Sequence, residues 1–221
     1  MECLTIKGFV FDLDGLILDT ETPQFECWQE LYAEYGLTYT LQDWWKAIGT
    51  VPCTYDSATE LKQHLGDQIE VDEFHQQIRE RIRISLEKQP LCPGVEAFLE
   101  QVSRAGIPMN VASSSAYEWV NGFLQKFDLN KYFRAVFTAR DVEHGKPDPA
   151  LYQLATQHLG LRPQEVMAFE DSLNGLKAAK AAGIFCTVVP SELTAAIDFS
   201  STDCILPSFE VMKLADILAT G

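Results

Sequence analysis

The stretch Phe9–Val10–Phe11–Asp12–Leu13–Asp14–Gly15 decides how the rest of the chain is interpreted. Its apolar residues are typical of a buried β-strand, and its two carboxylates follow where that strand ends. Because residues i and i+2 of an extended chain point to the same side, we expect Asp12 and Asp14 to project together at the carboxyl end of the strand. Open α/β sheets bind their ligands at that edge. Two neighbouring carboxylates are costly to bury without a cation or hydrogen-bond donors, although Asp and Gly are also common in plain turns.

The composition is that of an acidic globular chain. It has 221 residues, of which 47% are hydrophobic, and a formal net charge of −15. This length suits one large domain, or a large and a small one. The negative charge disfavours binding to nucleic acid or to an anionic membrane surface, so an anionic ligand would need a local cation. No segment approaches the roughly 18 apolar residues of a membrane helix.

The amino terminus and the cysteines favour a cytoplasmic location. Residues 1–7 lack the basic and apolar regions of a signal peptide. The six cysteines are scattered without a Cys-x-x-Cys pair, which favours reduced thiols over disulfides. The four histidines are isolated and do not have metal-ligand spacing. Nothing in the pattern indicates a large exposed apolar seam, so we expect a monomer or a weak dimer.

Residues 20–87 are predicted to be all-helical. Thr22 before Pro23 provides a capping hydroxyl and a proline at the first helical position, and Thr40 provides a second cap. Apolar residues at helical spacing extend the pattern over the whole block, which contains no clear strand. The helices predicted here cover residues 23–35, 41–48, 54–65 and 71–86.

After Pro90, short apolar strands alternate with helices. The predicted strands are 109–112, 135–138, 166–169, 185–189 and a short last one at 204–206, and the predicted helices are 95–104, 117–126, 149–159, 173–182 and 209–218. Such alternation predicts a parallel sheet with helices on both faces, to which the first strand, residues 6–12, also belongs. We therefore expect an α/β fold with a doubly wound, Rossmann-like parallel sheet. Residues 1–18 and 88–221 would form this core, and residues 19–87 an all-helical cap domain over the carboxyl ends of the strands.

Three further strand ends carry polar residues, which are Ser113–Ser114–Ser115, Lys146 within Gly145–Lys146–Pro147–Asp148–Pro149, and Glu170–Asp171–Ser172. Hydroxyls at a helix start suit a phosphate, a lysine on a stiff loop suits an anion, and adjacent acids suit a metal. Each motif alone is also compatible with a helix cap or a solvated side chain. Together they supply what phosphoryl transfer requires, including a carboxylate that can attack phosphorus and form an aspartyl-phosphate.

These motifs resemble those of the haloacid dehalogenase-like superfamily. The resemblance is to the branch that has a small helical cap and includes β-phosphoglucomutase and many small sugar-phosphate phosphatases. The resemblance rests on Asp12–Leu13–Asp14–Gly15, Ser113, Lys146, and Glu170–Asp171–Ser172 with Gly175. It implies that Asp12 is the nucleophile and a Mg²⁺ ligand. It also implies that Asp14 is the general acid and base and ligates the metal through its backbone carbonyl.

The resemblance assigns the remaining motif residues as well. Asp171 would be the third metal ligand from the protein, with Glu170 either ligating or supporting. Ser113 and Lys146 would bind the transferring phosphoryl oxygens, and Ser114 would contribute its backbone N–H. Mg²⁺ and the lysine would then offset the repulsion between a carboxylate nucleophile and a phosphate dianion.

The resemblance leaves a phosphatase and a phosphosugar mutase as alternatives. β-Phosphoglucomutase has a cap histidine shortly after the first motif, whereas the corresponding residue here is Gln24, which cannot act as an acid or base. The basic cap loop of the mutase contains arginine, and the comparable stretch 44–50 contains none. We therefore expect a Mg²⁺-dependent phosphatase that acts on a small phosphorylated metabolite, in particular a sugar phosphate, through an aspartyl-phosphate.

Substrate choice is expected to lie in the helical insertion, with hinges near residues 17–20 and 87–92. The specificity residues predicted there are Glu21, Gln24, Trp45, Lys46, Gly49 and Thr50. A non-catalytic binding module is a remote alternative, because such a module would be expected to have damaged motifs and every motif residue is present.

Overall fold

The sheet is organised around β1 (Gly8–Phe11), whose four residues are all buried. The structure, a computed structural model, describes residues 5–48, 55–66 and 70–218. Within them, six strands form one sheet: β1, β2 (Met109–Ala112), β3 (Ala135–Phe137), β4 (Val166–Glu170), β5 (Phe185–Val188) and β6 (Cys204–Ile205). The order is β3-β2-β1-β4-β5-β6, and all neighbours are parallel. The predicted doubly wound α/β core is confirmed.

The chain divides into two compact units. One contains the residues up to Leu18 and from Leu91 onward, and the other is Asp19–Pro90. In the first unit the sheet is accompanied by α5 (Val95–Arg104), α6 (Tyr117–Lys126), α7 (Ala150–Leu159), α8 (Leu173–Ala181) and α9 (Leu214–Leu218). The second unit contains α1 (Glu21–Glu34), α2 (Leu41–Ile48), α3 (Ser57–Leu65) and α4 (Val71–Glu87). Among the described residues of this second unit there is no strand, as predicted.

Each face of the sheet has its own core, because successive strand residues point to opposite sides. Phe9 and Phe11 enter one cluster, in which Phe11 stacks on Phe169 with ring centroids 4.9 Å apart. Val10 enters the other cluster, beside Ala168. Both faces of β1 are therefore buried, which explains why its sequence is continuously apolar rather than alternating.

The start of α1 differs from the prediction. The helix begins at Glu21 with Thr20 as its flanking residue, and Thr22 lies within its first turn. The backbone N–H of Thr22 donates to Asp19 Oδ1 at 3.0 Å. A carboxylate upstream of the helix thus satisfies this backbone donor, and the predicted Thr22 cap is wrong.

The last predicted helix, residues 209–218, is also wrong as a continuous element. The structure has a 3₁₀ turn at Phe209–Val211 and then the separate α9. Between them Met212 is extended, with φ −83° and ψ 128°. This break allows Phe209 and Leu214 both to be buried, so core packing overrides the helical pattern.

The sequence predicts reduced cysteines and no membrane helix. No disulfide joins the cysteines that lie in the described ranges. Over the same ranges, no helix combines the length and the apolar character needed to cross a membrane.

Candidate active site

The register of the sheet brings the predicted site residues to one edge. Phe11 pairs with Phe169, so Asp12 follows β1 at the level of Glu170, the last residue of β4. The backbone N–H of Asp12 donates to the carbonyl of Phe169 at 3.1 Å. Ser113 directly follows β2, the other neighbour of β1. The strand order reverses between β1 and β4, the place where open α/β sheets bind ligands.

A buried lysine joins two of the predicted carboxylates. Lys146 Nζ donates to Asp12 Oδ1 and to Glu170 Oε1, the latter at 2.6 Å. Burial alone would lower the pKa of Lys146, but the two carboxylates outweigh it and the pKa is raised. Burial raises the pKa of Asp12 well above its usual value, although Lys146 acts in the opposite direction. The lysine is therefore held as a cation beside the predicted nucleophile.

Glu170 is fixed by donors on both carboxylate oxygens. Oε1 also accepts from the hydroxyl of Tyr152 at 2.5 Å, and Oε2 accepts from Ser172 Oγ at 3.1 Å. Gly175 lies directly against this carboxyl group, because a Cβ at that position would be 1.8 Å from Glu170 Cδ. The glycine of the fourth motif thus provides the space that the buried glutamate occupies.

Three carboxylates could hold a metal ion. Asp12, Glu170 and Asp171 are buried, and one oxygen from each lies within 4.8 Å of the others. Gly15 gives Asp171 its room, since a Cβ there would be 1.9 Å from Asp171 Oδ2. With Lys146 as the ammonium, three carboxylates leave a formal charge of −2. Hard oxygen donors and this excess charge fit a divalent cation such as Mg²⁺.

The second carboxylate of the opening motif, Asp14, lies among neutral donors. Trp119 Nε1 donates to its Oδ1 at 2.8 Å, and Ser115 Oγ donates to its Oδ2 at 2.7 Å. Ser113 Oγ donates to the same Oδ2 at 3.2 Å and accepts from the backbone N–H of Ser115 at 3.0 Å. The metal-competent group found among the described residues does not include the Asp14 carboxylate. Its predicted metal contact, through the backbone carbonyl, stays a prediction.

Ser114 acts here through its side chain. Its hydroxyl accepts from the backbone N–H of Lys146 at 3.0 Å. A Cβ at Gly145 would lie 3.1 Å from that hydroxyl oxygen, so the glycine permits the close approach of the two loops. Ser114 thus anchors the loop that carries the lysine, and its predicted N–H contact with phosphate stays a prediction.

Four of the predicted specificity residues are described and belong to the second unit: Glu21, Gln24, Trp45 and Lys46. The other two, Gly49 and Thr50, lie outside the described residues. Gln24 Nε2 donates to the carbonyl of Thr20 at 2.9 Å. Lys46 Nζ pairs with Asp43 Oδ1 at 2.9 Å. These are contacts within the unit, and the substrate role of this set stays a prediction.

Sequence reasoning missed Tyr152 and Trp119, and it gave Ser115 no role of its own within the serine run. Tyr152 lies in the first turn of α7, shortly after the Lys146 loop, and Trp119 lies in the first turn of α6, shortly after the serine run. Both are aromatic residues with a polar atom, and both lie in the first turn of a helix that follows a motif loop. That position was the sequence signal that could have identified them. Each such residue can reach the strand end next to its own helix.

Comparisons with known proteins show the family of the chain. A family model described as haloacid dehalogenase-like hydrolase matches residues 9–189. YhcW of Bacillus subtilis, which carries a provisional phosphatase name, is 42% identical over 217 residues and 96% of each chain. The phosphorylated carbohydrates phosphatase of Thermotoga maritima is 33% identical over 180 residues, 81% of this chain and 82% of its own.

A solved structure gives the same result. The crystal structure of CbbY from Rhodobacter sphaeroides in complex with phosphate has a TM-score of 0.73 and 27% identity, over 96% of this chain and 99% of that one. The matched family range contains all the motif residues from Asp12 to Gly175. The chain therefore belongs to the haloacid dehalogenase-like hydrolase family, in the branch of the phosphoglucomutase-like and CbbY proteins.

Proposed function

We propose that this chain is a Mg²⁺-dependent phosphatase that hydrolyses a small sugar phosphate through an aspartyl-phosphate on Asp12. By family and by its relatives, the chain is a phosphoric monoester hydrolase. The observation that carries the finer proposal is the buried cluster in which Lys146 bonds Asp12 and Glu170 beside Asp171. The sugar phosphate class is supported by the name of the Thermotoga maritima relative.

Asp12 and Asp171 would hold the metal, together with the backbone carbonyl of Asp14. Glu170, which has an oxygen within 4.8 Å of those of Asp12 and Asp171, would also reach that ion, and it accepts a hydrogen bond from Lys146. When bound, Mg²⁺ supplies positive charge that reduces the repulsion between a carboxylate and a phosphate dianion. Lys146 is buried and charged, so it adds a fixed cation for the phosphoryl oxygens.

In the first step a carboxylate oxygen of Asp12 attacks phosphorus, and the bond between phosphorus and the ester oxygen breaks. Asp14 gives its proton to the departing alcohol oxygen, which takes the electron pair of that bond. In the second step Asp14 takes a proton from water, whose oxygen attacks the phosphorus of the aspartyl-phosphate. Inorganic phosphate leaves, and the carboxylate of Asp12 is regenerated.

Water is the acceptor in this proposal, rather than a second sugar hydroxyl. β-Phosphoglucomutase has a cap histidine where this chain has Gln24, which can position a hydroxyl but cannot act as an acid or base near neutral pH. The lack of an acid or base at position 24 favours hydrolysis over phosphoryl transfer between two positions of a sugar.

The test is a phosphate-release screen over hexose phosphates, phosphoglycolate, nucleotides and flavin mononucleotide, with Mg²⁺ and with EDTA. We expect release from sugar phosphates, loss of activity in EDTA and recovery with added Mg²⁺. Acid quench with a ³²P-labelled ester should trap label on the peptide that contains Asp12. Hydrolysis that persists in EDTA would contradict the metal role. Conversion of β-glucose 1-phosphate into glucose 6-phosphate without phosphate release would favour the mutase.

A further inference from the structure

Asp14 is held on both carboxylate oxygens by the segment that follows β2. The indole N–H of Trp119 meets Oδ1 at 2.8 Å, and the hydroxyl of Ser115 meets Oδ2 at 2.7 Å. An indole N–H can only donate, so the direction of the first bond is fixed by chemistry. Both distances are those of well-formed hydrogen bonds to a carboxyl group.

Trp119 is itself anchored to the core. It lies in the first turn of α6, and its ring packs edge-on against Phe123 with centroids 4.9 Å apart at 83°. Both aromatic rings pack against the larger core cluster of the first unit. The indole therefore reaches Asp14 from a helix that is packed on the core and begins just after the serine run.

The same hydrogen bonds place Asp14 beside the residue proposed to bind phosphate. Ser113 Oγ lies 3.2 Å from Asp14 Oδ2. If Ser113 contacts a phosphoryl oxygen, then Trp119 and Ser115 hold the Asp14 carboxyl group next to the phosphoryl group. Proton transfer to a leaving oxygen depends steeply on such placement.

We propose that Trp119 is a positioning residue for the general acid chemistry of Asp14, an inference that rests on the proposed function. Its indole N–H, together with the Ser115 hydroxyl, fixes the carboxyl group whose proton passes to the leaving oxygen as the bond to phosphorus breaks. Trp119 transfers no proton and touches no substrate in this role.

The role predicts dependence on the leaving group. An alkoxide leaves a phosphate ester poorly unless it is protonated, whereas p-nitrophenolate leaves without a proton. The value of kcat/KM reports the first chemical step, in which this proton is given. A loss of Asp14 placement should therefore affect sugar phosphates and largely spare p-nitrophenyl phosphate.

The test compares the Trp119→Phe variant with the unmodified protein on p-nitrophenyl phosphate and on the sugar phosphate hydrolysed fastest in the screen. Phenylalanine keeps a ring against Phe123 and removes the N–H. We expect kcat/KM for the sugar phosphate to fall about tenfold, as for one lost hydrogen bond, and that for the aryl ester to change by less than about twofold. Phe123→Leu, which alters the packing and keeps the N–H, should change the ratio of the two kcat/KM values less than Trp119→Phe does.

Equal losses on both esters in Trp119→Phe, or no loss on either, would overturn the positioning role. Ser115→Ala removes the other strong donor with little change in volume and should show the same ester-dependent pattern, so it serves if Trp119→Phe does not fold. An independent readout is the indole N–H resonance of Trp119, assigned by its loss in Trp119→Phe. It should shift in Asp14→Ala, and an unchanged resonance would contradict the hydrogen bond.

Different results would contradict the phosphatase function and the role of Trp119. If the unmodified protein hydrolyses neither ester with Mg²⁺, the phosphatase proposal fails and the role of Trp119 falls with it. If it hydrolyses both esters and the ratio of their kcat/KM values is unchanged in Trp119→Phe and Ser115→Ala, only the role of Trp119 fails.

Discussion

At each end of the neighbouring strands β1 and β4 a lysine pairs with a glutamate, yet the two pairs differ in burial and in charge balance. At the amino ends, Lys7 Nζ lies 2.8 Å from Glu165 Oε1, with 53% of the lysine side chain exposed. At the carboxyl ends, Lys146 Nζ lies 2.6 Å from Glu170 Oε1, with 6% of the lysine exposed, and it also bonds Asp12.

The difference lies in charge balance and burial. An exposed pair of one cation and one anion is screened by water and contributes little to stability. The buried group has three carboxylates for one ammonium, which is costly for a fold that gains nothing else from it. The surplus of buried negative charge thus distinguishes the candidate site from the surface pair at the other end of these strands.

The largest effect is expected from Asp12→Asn, which removes the proposed nucleophile. Phosphate release should fall by more than about a thousandfold, since asparagine cannot form the aspartyl-phosphate. The metal-free protein should nevertheless melt no lower than the unmodified one, because the change also removes one buried negative charge. Thermal unfolding followed by circular dichroism, together with the phosphate assay, measures both. Glu165→Gln, at the other end of the strands, is the control and should keep full activity.

The next effect is expected from Lys146→Met, which leaves the buried carboxylates without their ammonium. Losing one partner of a buried ion pair costs about 3–5 kcal/mol, so the free energy of unfolding in urea should fall by that amount without metal. Saturating Mg²⁺ should recover part of it, because a cation that binds only the folded state stabilises that state. Unchanged stability in the metal-free variant would show that Lys146 is not needed to balance the cluster.

Two helix glycines give a matched test of the space around Glu170. Gly175→Ala places a Cβ against the Glu170 carboxyl group and should destabilise the protein by about 1–3 kcal/mol and raise the Mg²⁺ concentration needed for activity. Gly122 lies in the middle of α6 and faces solvent, and a Cβ added there would have no described atom within 4 Å. Gly122→Ala should therefore stabilise by about 0.5–1 kcal/mol. Urea unfolding compares the two, and equal effects would contradict the crowding at Gly175.

The smallest effect is expected from Lys7→Ala. The midpoint of thermal unfolding at neutral pH should move by about 1 °C or less. Hydrogen bonds from Lys7 and Arg162 lower the pKa of Glu165 to about 2. The contribution of the pair is therefore complete above the ordinary glutamate pKa and is lost as the pH falls toward about 2, so the difference between variant and unmodified protein should shrink over that range. A difference that grows on acidification would contradict this assignment.

Much of the first unit was predictable because its signals are local. The strand predicted at 109–112 and the helix predicted at 117–126 have the same bounds in the structure. Short apolar runs bounded by turn residues specify such elements without reference to distant contacts. Asp12 and Glu170 were identifiable for the same reason, since each stands where an apolar strand ends.

The rest of the site depends on contacts between distant parts of the chain. Trp119 and Asp14 are 105 residues apart, and no local pattern specifies their hydrogen bond. Tyr152 fits the buried stripe of α7 as well as any core residue, and only the third dimension shows its hydroxyl on Glu170. The break at Met212 likewise follows from packing against the core rather than from local preference.

The central place of β1 also has a consequence for how the molecule is made. Residues 8–11 are synthesised well before Met109–Ala112 and Val166–Glu170, the two strands that flank them in the sheet. Pairings between such distant segments form slowly, and β1 cannot pair with β2 or β4 until those strands have been translated. No nascent chain that ends before Asp171 can contain the three-carboxylate group. Enzymatic activity would therefore report that the innermost strand has found both of its neighbours.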